Sequence, residues 1–250
     1  MPLPRSFLYV PANREKFLDK AVGLPADAFI FDLEDSVPPA EKARARAAIR
    51  DYAPKIPDLR VWVRPNALDT EFGRADLDAV IGITGIAGLF VPKVESCDDV
   101  RRWDELIGEL ETKRNLAAGA IKLVLSIESA RGVLNAYDMA IAAKRVVSLT
   151  FGGAQDGDLN TDLGCAWSID GPEMLHARSH TLLAARAAGF DTRSTACSPM
   201  CVTPMASNAT RRCRAAWAIV AASSSTHRRS SPATDCTGRA RRSWITTPGF

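Results

Sequence analysis

Five short stretches of this chain place charged side chains directly behind an apolar run, and their residue types suit metal-assisted chemistry on a carboxylate-bearing substrate. Asp32-Leu33-Glu34-Asp35 puts three acids in four residues after AFIF, and Arg64-Pro65-Asn66 follows VWV. Pro92-Lys93-Val94-Glu95 follows GLFV, and Glu128 with Arg131 follows KLVLSI. Asp156, Asp158 and Asp162 come soon after VVSLTF, in GGAQDGDLNTDLG. A carboxylate at the mouth of an apolar strand is costly to place unless a charged partner meets it there. Glu128 poses that question most sharply.

Oxygen ligands from neighbouring strand ends, completed by water and substrate, are what Mg²⁺ prefers. The metal set read here is Glu128 with Asp158 or Asp156; Asp162 is read as a cap of the short helix that follows. The acids of Asp32–Asp35 fit the first turn of a helix equally well, as caps and as partners of its dipole. Arg64 is held extended by Pro65, so its guanidinium projects from a strand end, where its fork suits a planar carboxylate. A salt bridge to the Asp32–Asp35 acids is the structural alternative, and Asn66 adds an amide contact. Lys93 reads as a counter-charge to the acids rather than as a Schiff-base lysine. His176 and His180 stand four apart in HARSH, but without the acid of a HExxH site they read as a surface helix. No Ser/His/Asp or Cys/His arrangement is supported, and no residue identifies itself as a general base.

The elements that must position these groups alternate at short intervals. Strands are expected over 6–10, 28–33, 60–63, 88–91, 122–127 and 146–151. Helices are expected over 14–22, from Pro38–Pro39 onward, and over 72–81, 98–110, 133–143 and 171–188. Continuous rather than alternating apolar strands mean a parallel sheet covered on both sides. Doubly wound sheets and (β/α)₈ barrels share that signature. Charged groups at the ends of many strands, and no glycine-rich phosphate loop after the first, favour a TIM-type (β/α)₈ barrel.

The length of 250 residues fits either one large α/β domain or two small ones, and 46% hydrophobic with 24% charged residues is ordinary for a soluble globular protein. No apolar run of membrane-spanning length occurs, and the first residues lack a secretory pattern, so no membrane partner and a cytoplasmic location are expected. The net charge of +3 hides an asymmetry: residues 1–190 carry 23 basic and 27 acidic residues, a net of −4, whereas 191–250 carry 9 Arg and 2 Asp, a net of +7. The tail also holds nine Ser, nine Thr and four of the six cysteines, whose spacings match no zinc signature. Only 213–222 there could form a regular element. Two domains are therefore read: 1–190, with six βα units, and 191–250, an atypical tail. The abrupt change favours a reading-frame shift in a GC-rich gene over a disordered basic tail or a nucleic-acid-binding one.

Taken together, RSFLYVPANREKF, ADAFIFDLEDSVPPAEKARAR, VWVRPNALDT, GLFVPKVES, IESARGVLNA, DLNTDLG and EMLHARSHTLLAARAAGF resemble the HpcH/HpaI aldolase and citrate lyase β-subunit (CitE-like) family, in family order from Arg5 to about Phe190. The resemblance implies a (β/α)₈ barrel, an oligomer and often a trimer. It implies Mg²⁺-dependent carbon–carbon cleavage or condensation of citryl, malyl or citramalyl thioesters, with an oxo acid and an acyl thioester on the other side of the reaction. By motif, Glu128 and Asp158 are metal ligands, Arg64 binds substrate, and Glu34 and Asp35 are the acids beside the metal. Measured from the strand end, Asp156 is nearer than Asp158, because the loop is about two residues longer than the usual GAEDL. Gln155 stands near a position usually acidic. The family's seventh and eighth strands and its late Ile-His-Pro segment are not recognisable after Phe190. Two other readings follow: a catalytically dead barrel serving only as a subunit or a truncated product, and an aldolase acting on free hydroxy-oxo acids.

Overall fold

The computed structural model describes residues 4, 6–24, 26–56, 60–168 and 171–190. The expectations for 213–222, and for the tail as a whole, lie outside the described residues. Six strands form where the apolar runs fall: β1 (Phe7–Pro11), β2 (Ala28–Asp32), β3 (Val61–Arg64), β4 (Ile86–Val91), β5 (Lys122–Ile127) and β6 (Val146–Phe151). Between and after them run α1 (Glu15–Ala21), α2 (Lys42–Tyr52), α3 (Gly73–Val80), α4 (Cys97–Lys113), α5 (Ala130–Leu134), α6 (Ala136–Ile141), α7 (Asp158–Leu163) and α8 (Leu175–Ala187).

All five strand pairings are parallel, and the sheet order is β1-β2-β3-β4-β5-β6. Each strand therefore lies beside its predecessor, with no reversal of order and no switch point. The two faces differ in kind. Alternate residues such as Phe29, Phe31, Val61, Val63, Leu123 and Leu125 join the large core with helix residues Leu18, Ile49, Leu77, Ile107 and Met139. The other face holds Ala28, Ile30, Trp62, Ala87, Phe90 and Val124, against which Phe7 and Val147 pack. Every member of that second cluster comes from a strand. Helices cover one face and strand side chains fill the other, which is barrel packing rather than the two-sided cover read from the strands' continuous apolar character.

The inner cluster is aromatic. Phe7, Trp62 and Phe90 meet edge to face with centroids 4.9–5.7 Å apart, each pair contributing about 0.5–1.5 kcal/mol beyond the area it buries. Gly88 makes room for it, since a Cβ there would lie 2.5 Å from the Trp62 ring. Ala87 is the extra residue of a bulge, for Val61 pairs with Ile86 and Trp62 with Gly88.

Two helices depart from expectation. The single helix read over 133–143 starts earlier, at Ala130, because Ser129 Oγ accepts the Gly132 N–H at 3.0 Å and caps it. It then breaks at Asn135, whose side-chain amide donates to the Glu95 carbonyl at 2.8 Å. The helix read from Gly171 opens with a 3₁₀ turn, Pro172–Met174, before α8. Among the described residues no helix is long and apolar enough to cross a membrane.

Candidate active site at the strand ends

Two-residue alternation brings the site together. On the inner face Ile30 is followed by Asp32, Trp62 by Arg64, and Val124 by Ser126 and then Glu128. Each strand is thus apolar deep in the barrel and polar at its C-terminal end, and the register sets Asp32 beside Arg64.

Arg64 is the centre of the charge network. Its Nε donates to Asp32 Oδ1 at 2.7 Å and its Nη2 to Asp32 Oδ2 at 2.8 Å, a two-pronged pair. Its Nη1 donates to Asp35 Oδ2 at 3.1 Å and lies 3.1 Å from Glu34 Oε2 without hydrogen-bond geometry. The Tyr9 ring lies 5.1 Å beneath the guanidinium. The salt bridge weighed as the structural alternative for Arg64 is therefore present. Burial raises the Asp32 carboxyl, but the Arg64 hydrogen bonds and charge outweigh it, with help from Ser36 and the Glu34 amide, and hold the group below the usual carboxylate range. Burial likewise opposes the Arg64 charge, and Asp32 more than restores it.

Glu34 is placed differently. It is buried, and Oε2 has no hydrogen-bond partner. Burial first, then the charges of Asp35 and Glu128, push its carboxyl up to about 7 against the pull of Arg64 and Lys93. Glu128 is raised for the same leading reason, burial, with Asp158 and Asp35 adding repulsion. Lys93 spans the opening: its Nζ lies 3.3 Å from Glu34 Oε1 and 3.1 Å from Asp158 Oδ2, and its backbone N–H donates to Glu128 Oε2 at 3.2 Å. That double engagement goes with a left-handed backbone at Lys93, φ 55°.

Five carboxylates (Asp32, Glu34, Asp35, Glu128 and Asp158) thus face two cations, Arg64 and Lys93, a formal excess of three negative charges. Among the described residues no group of three or more His, Cys, Asp and Glu side chains has metal-binding spacing. Mg²⁺ does not require one, since it takes one or two carboxylates and fills the rest with water and substrate. Hard oxygen donors, an orphaned Glu34 oxygen, and the Glu34 and Glu128 carboxyls raised by burial and then by mutual repulsion are a donor set that fits such a cation. Gly152 keeps the place open, because a Cβ there would lie 2.7 Å from Glu128 Cγ.

The other candidates sit apart. Asp156 is exposed on the turn ahead of α7. Asp162, read as a cap of its own helix, instead accepts the Ala130 N–H of α5 at 2.6 Å and so ties α7 to the loop carrying Glu128. Asn66 is buried, with its amide shared among Lys42, Asp76 and the Leu33 carbonyl. Lys42 and Asp76 went unnoticed in the sequence, for their helical positions resemble any surface charge. His176 and His180 lie on α8 with centroids 6.0 Å apart, away from these strand ends in sequence and element.

Known proteins share this frame. Residues 5–212 match the family model described as HpcH/HpaI aldolase/citrate lyase. The chain is 37% identical over 197 residues to citrate lyase subunit beta of Haemophilus influenzae, covering 77% of this chain and 66% of that protein. It is equally 37% identical over 192 residues to a (3S)-malyl-CoA thioesterase of Cereibacter sphaeroides, covering 74% and 60%. The chain thus spans 60–66% of the length of these curated relatives. Among solved structures, the citrate lyase beta subunit of Mycobacterium tuberculosis complexed with oxaloacetate and magnesium superposes with a TM-score of 0.58 at 32% identity, over 75% of this chain and 76% of that one. The same organism's CitE protein in complex with magnesium, acetoacetate and coenzyme A gives 0.58 at 33%, over 74% and 62%. Motif order, one-directional strand order and a charged strand-end site agree with these matches, and the chain belongs to the HpcH/HpaI aldolase/citrate lyase family.

Proposed function

We propose that this chain is a Mg²⁺-dependent carbon–carbon lyase of the citrate lyase β type, interconverting a 3-hydroxyacyl thioester (malyl-, citramalyl- or citryl-like) with an oxo acid and an acyl thioester. The observation that carries the reading is the excess of carboxylates, with Asp32 and Glu34 buried among them, around Arg64 and Lys93 at the strand ends. Glu128 and Asp158 are the proposed metal ligands, with Asp156 as the alternative to Asp158. Bound Mg²⁺ would supply charge neutralisation and polarise the substrate oxygens.

The chain's own groups do the rest. A guanidinium has five N–H donors; Asp32 takes two and Asp35 one, so Arg64 retains two for the carboxylate of the oxo-acid half and for charge developing on its oxygen. Glu34, near neutrality in its pKa, is suited to accept the 3-hydroxyl proton. The electron pair of that O–H bond becomes the new C=O of the oxo acid. The C–C bond breaks, and its electrons pass to the thioester enolate. The proton on Glu34 then returns to the enolate carbon, completing the acyl thioester. Asp35 keeps Arg64 oriented.

A catalytically silent barrel is favoured by one observation: Arg64 and Lys93 are already paired within the site. Calorimetric titration with Mg²⁺ separates these readings. The wild type should give metal-dependent heat and Glu128→Gln should give little; no heat from the wild type sinks the enzyme reading. Cleavage of malyl-CoA but not of a free 4-hydroxy-2-oxo acid separates the thioester lyase from an aldolase acting on free acids.

A further inference from the structure

Helix α2 carries a buried ammonium that the chemistry above does not use. Lys42 is 5% exposed, and its Nζ donates to the Leu33 carbonyl at 2.8 Å, the Glu34 carbonyl at 3.1 Å and Asn66 Oδ1 at 2.7 Å. The Phe72 ring closes another side, 5.2 Å from the nitrogen. All three donors of the ammonium are used, and all three acceptors are neutral oxygens. Burying a cation against neutral acceptors is expensive, and a shorter amide would fill such a place at less desolvation cost. What the ammonium adds is geometry, since it joins three oxygens from two strand ends at one point.

Those oxygens are informative. Two are consecutive carbonyls of the turn that carries Glu34, and the third belongs to Asn66, two residues past Arg64. Asn66 is itself fixed from the far side: its backbone and side-chain N–H groups donate to Asp76 Oδ2 at 2.8 and 2.6 Å. Asp76 Oδ1 accepts from Arg46 at 2.8 Å. Lys42 and Arg46 are one turn apart on α2, so one helix face grips the ends of both β2 and β3.

We propose that Lys42 is a positioning residue for the strand-end site: its ammonium pins the Leu33–Glu34 turn to Asn66 and so aims the Glu34 carboxylate at Arg64. The part of this inference that concerns turnover rests on the lyase reading; the clamp itself does not.

Hydrogen exchange on the full chain, read by mass spectrometry, tests the clamp. The amides of Leu33, Glu34, Ser36 and Val37 are all hydrogen-bonded, to Arg64, Asp32 and Glu34 oxygens, so the segment starts protected. In Lys42→Met, peptides over 33–37 should exchange about tenfold faster or more, while β5 peptides over 122–127 stay unchanged. Ile107→Ala in α4, a buried site away from the network, controls for general destabilisation and should leave 33–37 protected. Should the Met variant not fold, Lys42→Arg carries the test, since a bulkier fork with its donors spread in one plane does not reproduce a single nitrogen donating in three directions and should loosen the same segment. Unchanged protection in either folded variant, or equal loosening in Ile107→Ala, overturns the proposal.

Turnover of malyl-CoA supplies the second readout. Lys42→Met should lower kcat by about the factor that Glu34→Gln does, and adding it to Glu34→Gln should cost less than about twofold more. Losses that multiply independently overturn the link to Glu34. If the wild type has no turnover, the lyase reading fails while the exchange result still decides the clamp.

Discussion

Arg64 and Glu34 make opposite demands on the protein. The Asp32–Arg64 pair is buried and two-pronged, so cutting it leaves a carboxylate without its counter-charge. Arg64→Ala should destabilise the protein by about 3–5 kcal/mol in chemical denaturation. Arg64→Lys keeps the charge but loses the fork, and should retain most of the stability while lowering turnover about a hundredfold. Glu34 carries a pH signature. Its folded pKa is raised to about 7 from 4.5, so the folded state holds the proton more tightly than the unfolded one. The resulting stability is fully present below about pH 4.5 and is lost as the pH rises through 7, on the order of 3 kcal/mol in all. Melts of the metal-free protein should show that decline, and Glu34→Gln should flatten it. Saturating Mg²⁺ should flatten it too, by holding the carboxylate cluster ionised at lower pH. A decline unaltered in Glu34→Gln assigns it elsewhere.

Strand and loop determine where those side chains can stand. Glu128 is delivered by β5 and given room by Gly152, which follows β6 with its N–H on the Ile127 carbonyl. Gly152→Ala should displace the carboxylate, since the new methyl would fall within 2.7 Å of Glu128 Cγ. We expect Mg²⁺ affinity by calorimetry to weaken about tenfold or more with a modest loss in melting temperature; unchanged affinity would show that Glu128 is not where the metal binds. The loop after β4 shows a related economy. Lys93 in its left-handed turn offers an N–H to Glu128 and an ammonium to Glu34 and Asp158. Capping continues the pattern: Ser96 with Asp99 forms a reciprocal box at α4, and Ser129 caps α5.

For the whole molecule, the helices leave apolar side chains in the open. Leu134, Tyr137 and Ile141, spaced three and four apart, are 43–72% exposed on α5–α6, and Leu175, Leu182 and Leu183 are 41–69% exposed on α8. The two helical regions pack together, so these residues lie on neighbouring helices. We propose that these residues meet a second copy of the chain. Sedimentation velocity should show an oligomer that Ile141→Glu with Leu183→Glu shifts to monomer; an unchanged profile places the contact elsewhere. We propose also that the tail from residue 191 is translated out of its original frame, with the family-like domain in 1–190, although the family match itself runs on to residue 212. Reading the other frames of the gene after codon 190 should restore a βα pattern and an Ile-His-Pro segment. Their absence from every frame would end that idea.

Strand positions, the parallel βα pattern and the charged strand ends were legible in the chain because each rests on neighbours in sequence. A buried parallel strand needs a continuous apolar run, a following helix needs its caps, and an arginine before a proline must extend from its strand. Family membership was legible for the same reason, as motifs in order. Partnership was not. That Arg64 binds Asp32 through both prongs, that Asp162 serves α5 rather than its own helix, and that Lys42 reaches inward to two strand ends all depend on residues 32 places away or on a helix's rotation about its axis. Side chains such as Lys42 and Asp76 look like solvated charges until the sheet curls. The sequence alone determined which groups stand at the strand ends. Only the tertiary structure decided which of them neutralise one another, and it left an excess of carboxylates, because that balance depends on burial and on distances across strands.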